Sequence, residues 1–152
     1  VNHLDERYGG EVPDILDNAY VVVDFDGGAR ALLDLCMFAE ASRNVEEIAA
    51  TGDAGKVECF LPESTVVVGR RSPRAVATHT VEVEAELLEA GFHHGSTYYE
   101  HLAFQRSIRE GRPPEVTARD GLLAVAMGAA AERSVAVGRP VEMRELGLPT
   151  GL

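Results

Sequence analysis

The stretch Ala19-Tyr20-Val21-Val22-Val23-Asp24-Phe25-Asp26-Gly27-Gly28-Ala29-Arg30-Ala31-Leu32-Leu33-Asp34-Leu35-Cys36-Met37-Phe38 decides the fold class. Residues 19–25 are mostly β-branched or aromatic, and such side chains fit a pleated, half-buried surface. Asp26-Gly27-Gly28 carries the chemistry of a tight turn that needs φ > 0. Residues 29–38 then read as the return strand of a hairpin. Along that strand Leu33, Leu35 and Met37 alternate with Leu32, Asp34, Cys36 and Phe38. Both of its faces therefore carry large apolar groups.

The strand pattern continues downstream. Residues 48–51 and 56–61 form a second hairpin around Gly52-Asp53-Ala54-Gly55. Residues 65–70 make a fifth strand, and residues 76–83 a sixth with alternating character. Short turns between them make the sheet mainly antiparallel. The period then changes. Thr97-x-x-Glu100 is a capping-box spacing, and residues 98–110 place Tyr98, His101, Leu102, Phe104, Gln105 and Ile108 on one stripe. Gly111 with Pro113-Pro114 stops that helix. Thr117-x-x-Asp120 caps a second helix, small or apolar nearly all round from 122 to 137, which should therefore be buried. Gly138 and Pro140 end it, and residues 141–144 are expected to add an edge strand. The expected fold is α+β: an open, mainly antiparallel sheet of about six strands with two C-terminal helices on one face. Two helices cannot cover both faces, so the other face is expected to serve oligomerisation.

Residues 1–18 are polar and rich in turn formers. With Val1 in place of an initiator Met, they are expected to be a lead-in segment from a missing N-terminal domain. Residues 19–152 are then the folded domain. Its formal net charge is −11, which argues against nucleic acid or anionic lipid as partner. No apolar run reaches about 18 residues, so no membrane span is expected. No signal peptide is visible. Cys36 and Cys59 lie in apolar runs and read as two buried thiols, which suits a reducing, cytoplasmic setting. The single lysine, Lys56, reads as a hairpin surface residue.

The densest polar and aromatic cluster is Phe92-His93-His94-Gly95-Ser96-Thr97-Tyr98-Tyr99-Glu100-His101. It holds three of the five histidines and two of the four tyrosines. Three readings stay open. His93, His94 and His101 with Glu100 could ligate a metal, although adjacent histidines point apart and no spaced partner exists elsewhere. His101 could be a satisfied core histidine, with Ser96 and Thr97 as caps. Or the strand-to-helix connection is a ligand loop. His93, His94, Tyr98 and Tyr99 then supply neutral donors and acceptors for the hydroxyls of a sugar or polyol. The polar cluster from Asn2 to Tyr8 reads as a solvated loop or as a lip of the same cleft.

Several segments taken together resemble the C-terminal domain of the glucose–fructose oxidoreductase / inositol dehydrogenase / MocA (Gfo/Idh/MocA) family. They are residues 17–28, Thr51-Gly52-Asp53-Ala54-Gly55-Lys56-Val57-Glu58, Ser96-Thr97-Tyr98-Tyr99-Glu100-His101, and the tail from Asp120-Gly121-Leu122 to Gly138-Arg139-Pro140-Val141. The resemblance implies an NAD- or NADP-dependent dehydrogenase of a sugar, inositol or related polyol. It implies a Rossmann domain upstream that binds the cofactor and carries a Glu-Lys-Pro lysine and an Asp-x-x-x-His pair. This chain has no Gly-x-Gly-x-x-Gly, no Lys-Pro and no Asp followed four residues later by His. No catalytic or cofactor-binding residue is therefore assigned here, and the chain alone is expected to be inactive. The competing expectation is a stand-alone ligand-binding or dimerisation module without catalysis.

Overall fold

The computed structural model describes residues 15–39, 41–89 and 95–148. The chain divides into two compact units, Val1–Thr97 and Tyr98–Leu152. The first contains β1 (Asn18–Asp24), β2 (Arg30–Cys36), β3 (Glu46–Thr51), β4 (Gly55–Leu61), β5 (Thr65–Arg70), β6 (Ala75–Thr80) and the one-turn helix α1 (Ala85–Glu89). The α+β class and the open antiparallel strands are as expected. The strands divide into a two-stranded sheet, β1-β2, and a four-stranded sheet, β3-β4-β5-β6.

Register assigns the faces. Residues directly opposite one another project from the same side of a sheet. In the four-stranded sheet Ile48, Cys59, Val66 and His79 form one cross-strand row, and Ala50, Val57, Val68 and Ala77 form the next. The other side carries the rows Glu47-Phe60-Thr65-Thr80, Ala49-Glu58-Val67-Thr78 and Thr51-Lys56-Gly69-Val76. The first face is thus mostly apolar, with His79 on the outer strand β6 and Glu46 and Arg70 at its ends, and the other is mixed and polar. Lys56 Nζ donates to Glu58 Oε1 at 2.6 Å along the polar face, as befits a surface lysine. Burial of a Val, Leu or Ile side chain is worth about 1.5–3 kcal/mol. The chain by itself leaves Ile48 63% and Val57 39% exposed, so much of that stabilisation depends on further cover.

The β1-β2 hairpin sorts the same way. Ala19, Val21 and Val23 lie opposite Leu35, Leu33 and Ala31 on an all-apolar face. Tyr20, Val22 and Asp24 lie opposite Asp34, Leu32 and Arg30, and Arg30 Nε donates to Asp24 Oδ1 at 2.6 Å. Cys36 is on this second side and is exposed, while Cys59 is half-buried; both thiols are free. Cys36 thus corrects the expectation of two buried thiols. The turn is a three-residue loop closed by Phe25 N–H to Ala29 C=O (3.0 Å) and Gly28 N–H to Phe25 C=O (2.9 Å), with Gly28 alone at φ +82.

The second unit holds most of α2 (Ser96–Glu110) and all of α3 (Ala118–Val137). Helix α2 begins at Ser96, so Thr97 sits inside the first turn and is not its cap. Its end is a Schellman motif. Arg112 N–H bonds to Ser107 C=O and Gly111 N–H to Ile108 C=O, with Gly111 left-handed at φ +63. Helix α3 opens on the expected capping box: Asp120 N–H donates to Thr117 Oγ1, and Thr117 N–H to Asp120 Oδ2. It closes at left-handed Gly138, whose N–H reaches Ser134 C=O. The expectation that α3 is buried nearly all round is corrected. Only Ala126 and Ala130, one turn apart, are buried, and Val125 and Val135 are exposed. Apolar composition makes a helix able to be buried; it does not by itself supply the cover.

The expected edge strand at 141–144 is also corrected. Met143–Leu146 is a 3-10 turn. Glu142-x-x-Glu145 gives the segment its own capping box, so the backbone is satisfied locally rather than by a sheet. Helix α1 has no signature in the sequence. One turn built on the Glu84 carbonyl, which accepts from Leu87 and Leu88 N–H, is too short to show a helical period.

Of three Gly→Ala substitutions, two should destabilise and one should stabilise, each for its own reason. A Cβ at Gly55 would run into the backbone carbonyl oxygen of Gly69 across the β4-β5 pair, so Gly55→Ala should destabilise by about 1–3 kcal/mol. At Gly28 there is open space but a left-handed backbone, and Gly28→Ala should cost about 1–2 kcal/mol. At Gly128, inside α3 with nothing within 4 Å, alanine should stabilise by about 1 kcal/mol. Denaturant titration measures all three. A Gly55→Ala protein as stable as wild type would contradict the β4-β5 register.

Candidate functional site

Of the residues assigned to the ligand loop, His93 and His94 lie outside the described residues. Tyr98 and Tyr99 occupy the first turn of α2. Successive helical residues diverge by about 100°, yet the two rings meet edge to face, with centroids 5.7 Å apart and planes at 73°. Such a contact contributes about 0.5–1.5 kcal/mol beyond burial and limits the rotamers open to each ring. Tyr98 is 47% and Tyr99 45% exposed, so both rings keep one side in solvent. The pair offers two phenolic hydroxyls, each able to donate and accept, beside apolar ring surface. That chemistry suits a polyhydroxylated ligand with alternating C–H and O–H groups.

His101 and Glu100 are exposed. His101 is therefore not a core histidine in this chain, although it falls on the stripe that the helical period picked out. Phe104 and Ile108 on the same stripe are also exposed. Among the described residues no group of three or more His, Cys, Asp and Glu is placed to hold a metal ion. No helix among them is long and apolar enough to cross a membrane.

The tail segment that resembles the family has a structural task. Arg139 grips Glu145 with two bonds, Nη1 to Oε1 at 3.1 Å and Nη2 to Oε2 at 2.9 Å. Glu142 N–H donates to Glu145 Oε1 at 2.9 Å, and Arg133 Nη1 donates to the Glu145 carbonyl at 3.1 Å. Ser134 Oγ donates to the Arg139 carbonyl at 2.8 Å. The 3-10 turn is thereby clamped to the end of α3. The sequence carries a signal for it, Glu142-x-x-Glu145 just after Gly138-Arg139-Pro140, which outweighs the strand-like composition of residues 141–144.

The start of α3 does not suit a phosphate group. The amide a phosphate would need at the start of α3 already donates to Thr117 Oγ1, and the Asp120 carboxylate stands beside it. The Thr117 hydroxyl, donating at 2.6 Å, and then the Thr117 N–H hold that carboxyl below its ordinary range, so it stays anionic. An anion at this position repels phosphate.

The clamp sets a pH prediction. The Arg139 guanidinium first, and then the Glu142 N–H, lower the Glu145 carboxyl from 4.5 to about 2. A carboxyl depressed in the folded state adds stability above its unfolded value and loses it as pH falls through the folded one. The clamp should therefore hold above pH 4.5 and release as pH falls toward about 2. Carboxyl-carbon NMR should show Glu145 titrating near the lower value. Glu145→Gln should abolish that transition and loosen Met143–Leu146. A midpoint at the ordinary carboxylate value would show that the clamp does not form.

A search of curated proteins finds no match to the chain. The family described as "Oxidoreductase family, C-terminal alpha/beta domain" matches residues 2–143. That span takes in the six strands and three α-helices of the described residues, and it ends within the clamp. The chain belongs to the Gfo/Idh/MocA oxidoreductase family, as its C-terminal alpha/beta domain.

Proposed function

We propose that this domain is the substrate-binding and oligomerisation half of an NAD- or NADP-dependent dehydrogenase acting on a sugar, inositol or related polyol. The family match over residues 2–143 carries the reading. The cofactor is held by a Rossmann domain that precedes it, and residues 1–18 lead in from that domain. Tyr98 and Tyr99, with His93 and His94, take the substrate hydroxyls. The edge-to-face tyrosine pair, half open to solvent, supports this assignment. The chain acts as one part of a cytoplasmic homo-oligomer that contacts its copies through an open sheet face. Leu33 and Leu35, on the all-apolar side of the β1-β2 hairpin, are the residues to test for that contact.

Calorimetric titration of this chain with NAD and with NADP should show no saturable binding. Micromolar binding would contradict the division of labour. In the protein that joins this domain to its cofactor domain, His94→Ala and Tyr98→Phe should lower polyol turnover efficiency roughly tenfold to a hundredfold. An unpaired substrate hydroxyl costs about 1–3 kcal/mol, and cofactor affinity should change little. His93→Ala is the comparison, since neighbours in an extended loop point apart. Wild-type kinetics in all three variants, with folds intact, would make the loop structural. A charge at Leu33 or Leu35 should give smaller species or precipitation in light scattering. An unchanged mass for both would remove the face contact.

A further inference from the structure

Strand β6 is the outer strand of the four-stranded sheet, and every one of its six residues is exposed. Its outward backbone groups have no hydrogen-bond partner among the described residues. Its sequence, Ala-Val-Ala-Thr-His-Thr, holds no Lys, Arg, Asp, Glu or Pro. Those are the residues that protect a free edge against pairing with another strand. The opposite edge is protected: β3 opens with Glu46-Glu47, and Arg43 beside it bridges to Glu63 at 3.1 Å.

The two ends of β6 are oppositely charged. Arg70, Arg71 and Arg74 stand at the β5-β6 tip, the densest cationic group in a chain of net charge −11. Arg71 is anchored, its Nη1 donating to the Asp53 carbonyl at 2.9 Å. Past the other end of β6 come Glu82, Glu84 and Glu86. Arg70, Arg74, Glu82 and Glu84 make no ion pair among the described residues. A strand with a cationic head and an anionic tail is complementary to itself only when a second copy runs antiparallel.

We infer that β6 pairs antiparallel with β6 of a second copy of this chain, about a two-fold axis at Thr78. This register sets Thr78 opposite Thr78, Ala77 opposite His79, Val76 opposite Thr80, and Arg74 opposite Glu82 of the second copy. Each pair joins residues of one face to residues of the same face, so the two sheets continue as one of eight strands with their apolar sides together. The contact is isologous and closes on itself. A parallel pairing would set arginine beside arginine. This edge contact is independent of the substrate reading and of the sheet-face contact above.

Charge reversal and cross-linking in the full chain test it. Arg74→Glu and Glu82→Arg should each weaken association roughly tenfold, because two symmetry-related attractions become repulsions. The double reversal should restore it. In a Cys36→Ser, Cys59→Ala background, Thr78→Cys should oxidise to a disulfide-linked dimer. Val76→Cys should not, because two copies of that position lie four residues out of register. Leu33→Asp, aimed at the hairpin face, should leave the Thr78→Cys cross-link in place, which separates the two contacts. Single reversals that leave association unchanged, a double reversal that fails to restore it, or Val76→Cys cross-linking as readily as Thr78→Cys would each overturn the inference.

Discussion

The antiparallel register of β3 to β6 is the constraint on which the rest depends. It gathers Ile48, Cys59, Val66, Ala50, Val57 and Val68 on one side and sends Glu47, Glu58, Lys56, Thr65 and Thr78 to the other. A slip of one residue in any strand would move its apolar side chains to the polar face. Gly55 guards the register at one point, since any side chain there meets the Gly69 carbonyl. Once the register is set, the sheet has one face that needs cover, one that tolerates water, and two unlike edges.

The elements of the second unit are fixed locally. Helix α3 is bounded by a Thr117/Asp120 box and a left-handed Gly138, and α2 ends at a left-handed Gly111. The tail is tied down by Arg139 and Glu145, an exposed charged pair whose strength falls with ionic strength. These devices set where elements start and stop. They bury little apolar surface, and only Ala126 and Ala130 among the described hydrophobic side chains are buried. A chain that keeps Tyr20, Leu32, Val76, Val125 and Ile108 in solvent has apolar surface suited to a neighbour. Membership as the C-terminal domain of an oxidoreductase family is consistent with that incompleteness.

Much of this was legible in the sequence because the signals are short-range. Alternating Val and Thr, the Asp26-Gly27-Gly28 turn, Thr117-x-x-Asp120 and the helix-ending glycines all act within a few residues. The α+β class, the antiparallel hairpins and the glycines that end the helices followed from them. What the sequence missed depends on distance or on competition. Nothing local says whether a hairpin joins the neighbouring sheet, so six strands became two plus four. Residues 141–144 have strand-like composition, but a capping box and a bidentate arginine three to six residues away prevailed. At the site, sequence pointed to Tyr98 and Tyr99 as neighbours; their edge-to-face contact is a rotamer outcome that spacing cannot encode. His101 shows the reverse failure, since a helical stripe predicts which residues share a side and not whether that side is covered.

The register claim can be tested most directly through the two native thiols. Cys59 lies on the apolar face of a central strand and Cys36 on the mixed side of the hairpin. Alkylation of the native protein, followed by mass spectrometry of each site, should modify Cys36 much faster than Cys59. The difference should vanish in denaturant. Equal native rates at the two positions would mean that Cys59 does not face the apolar side, and the register on which the account rests would be wrong.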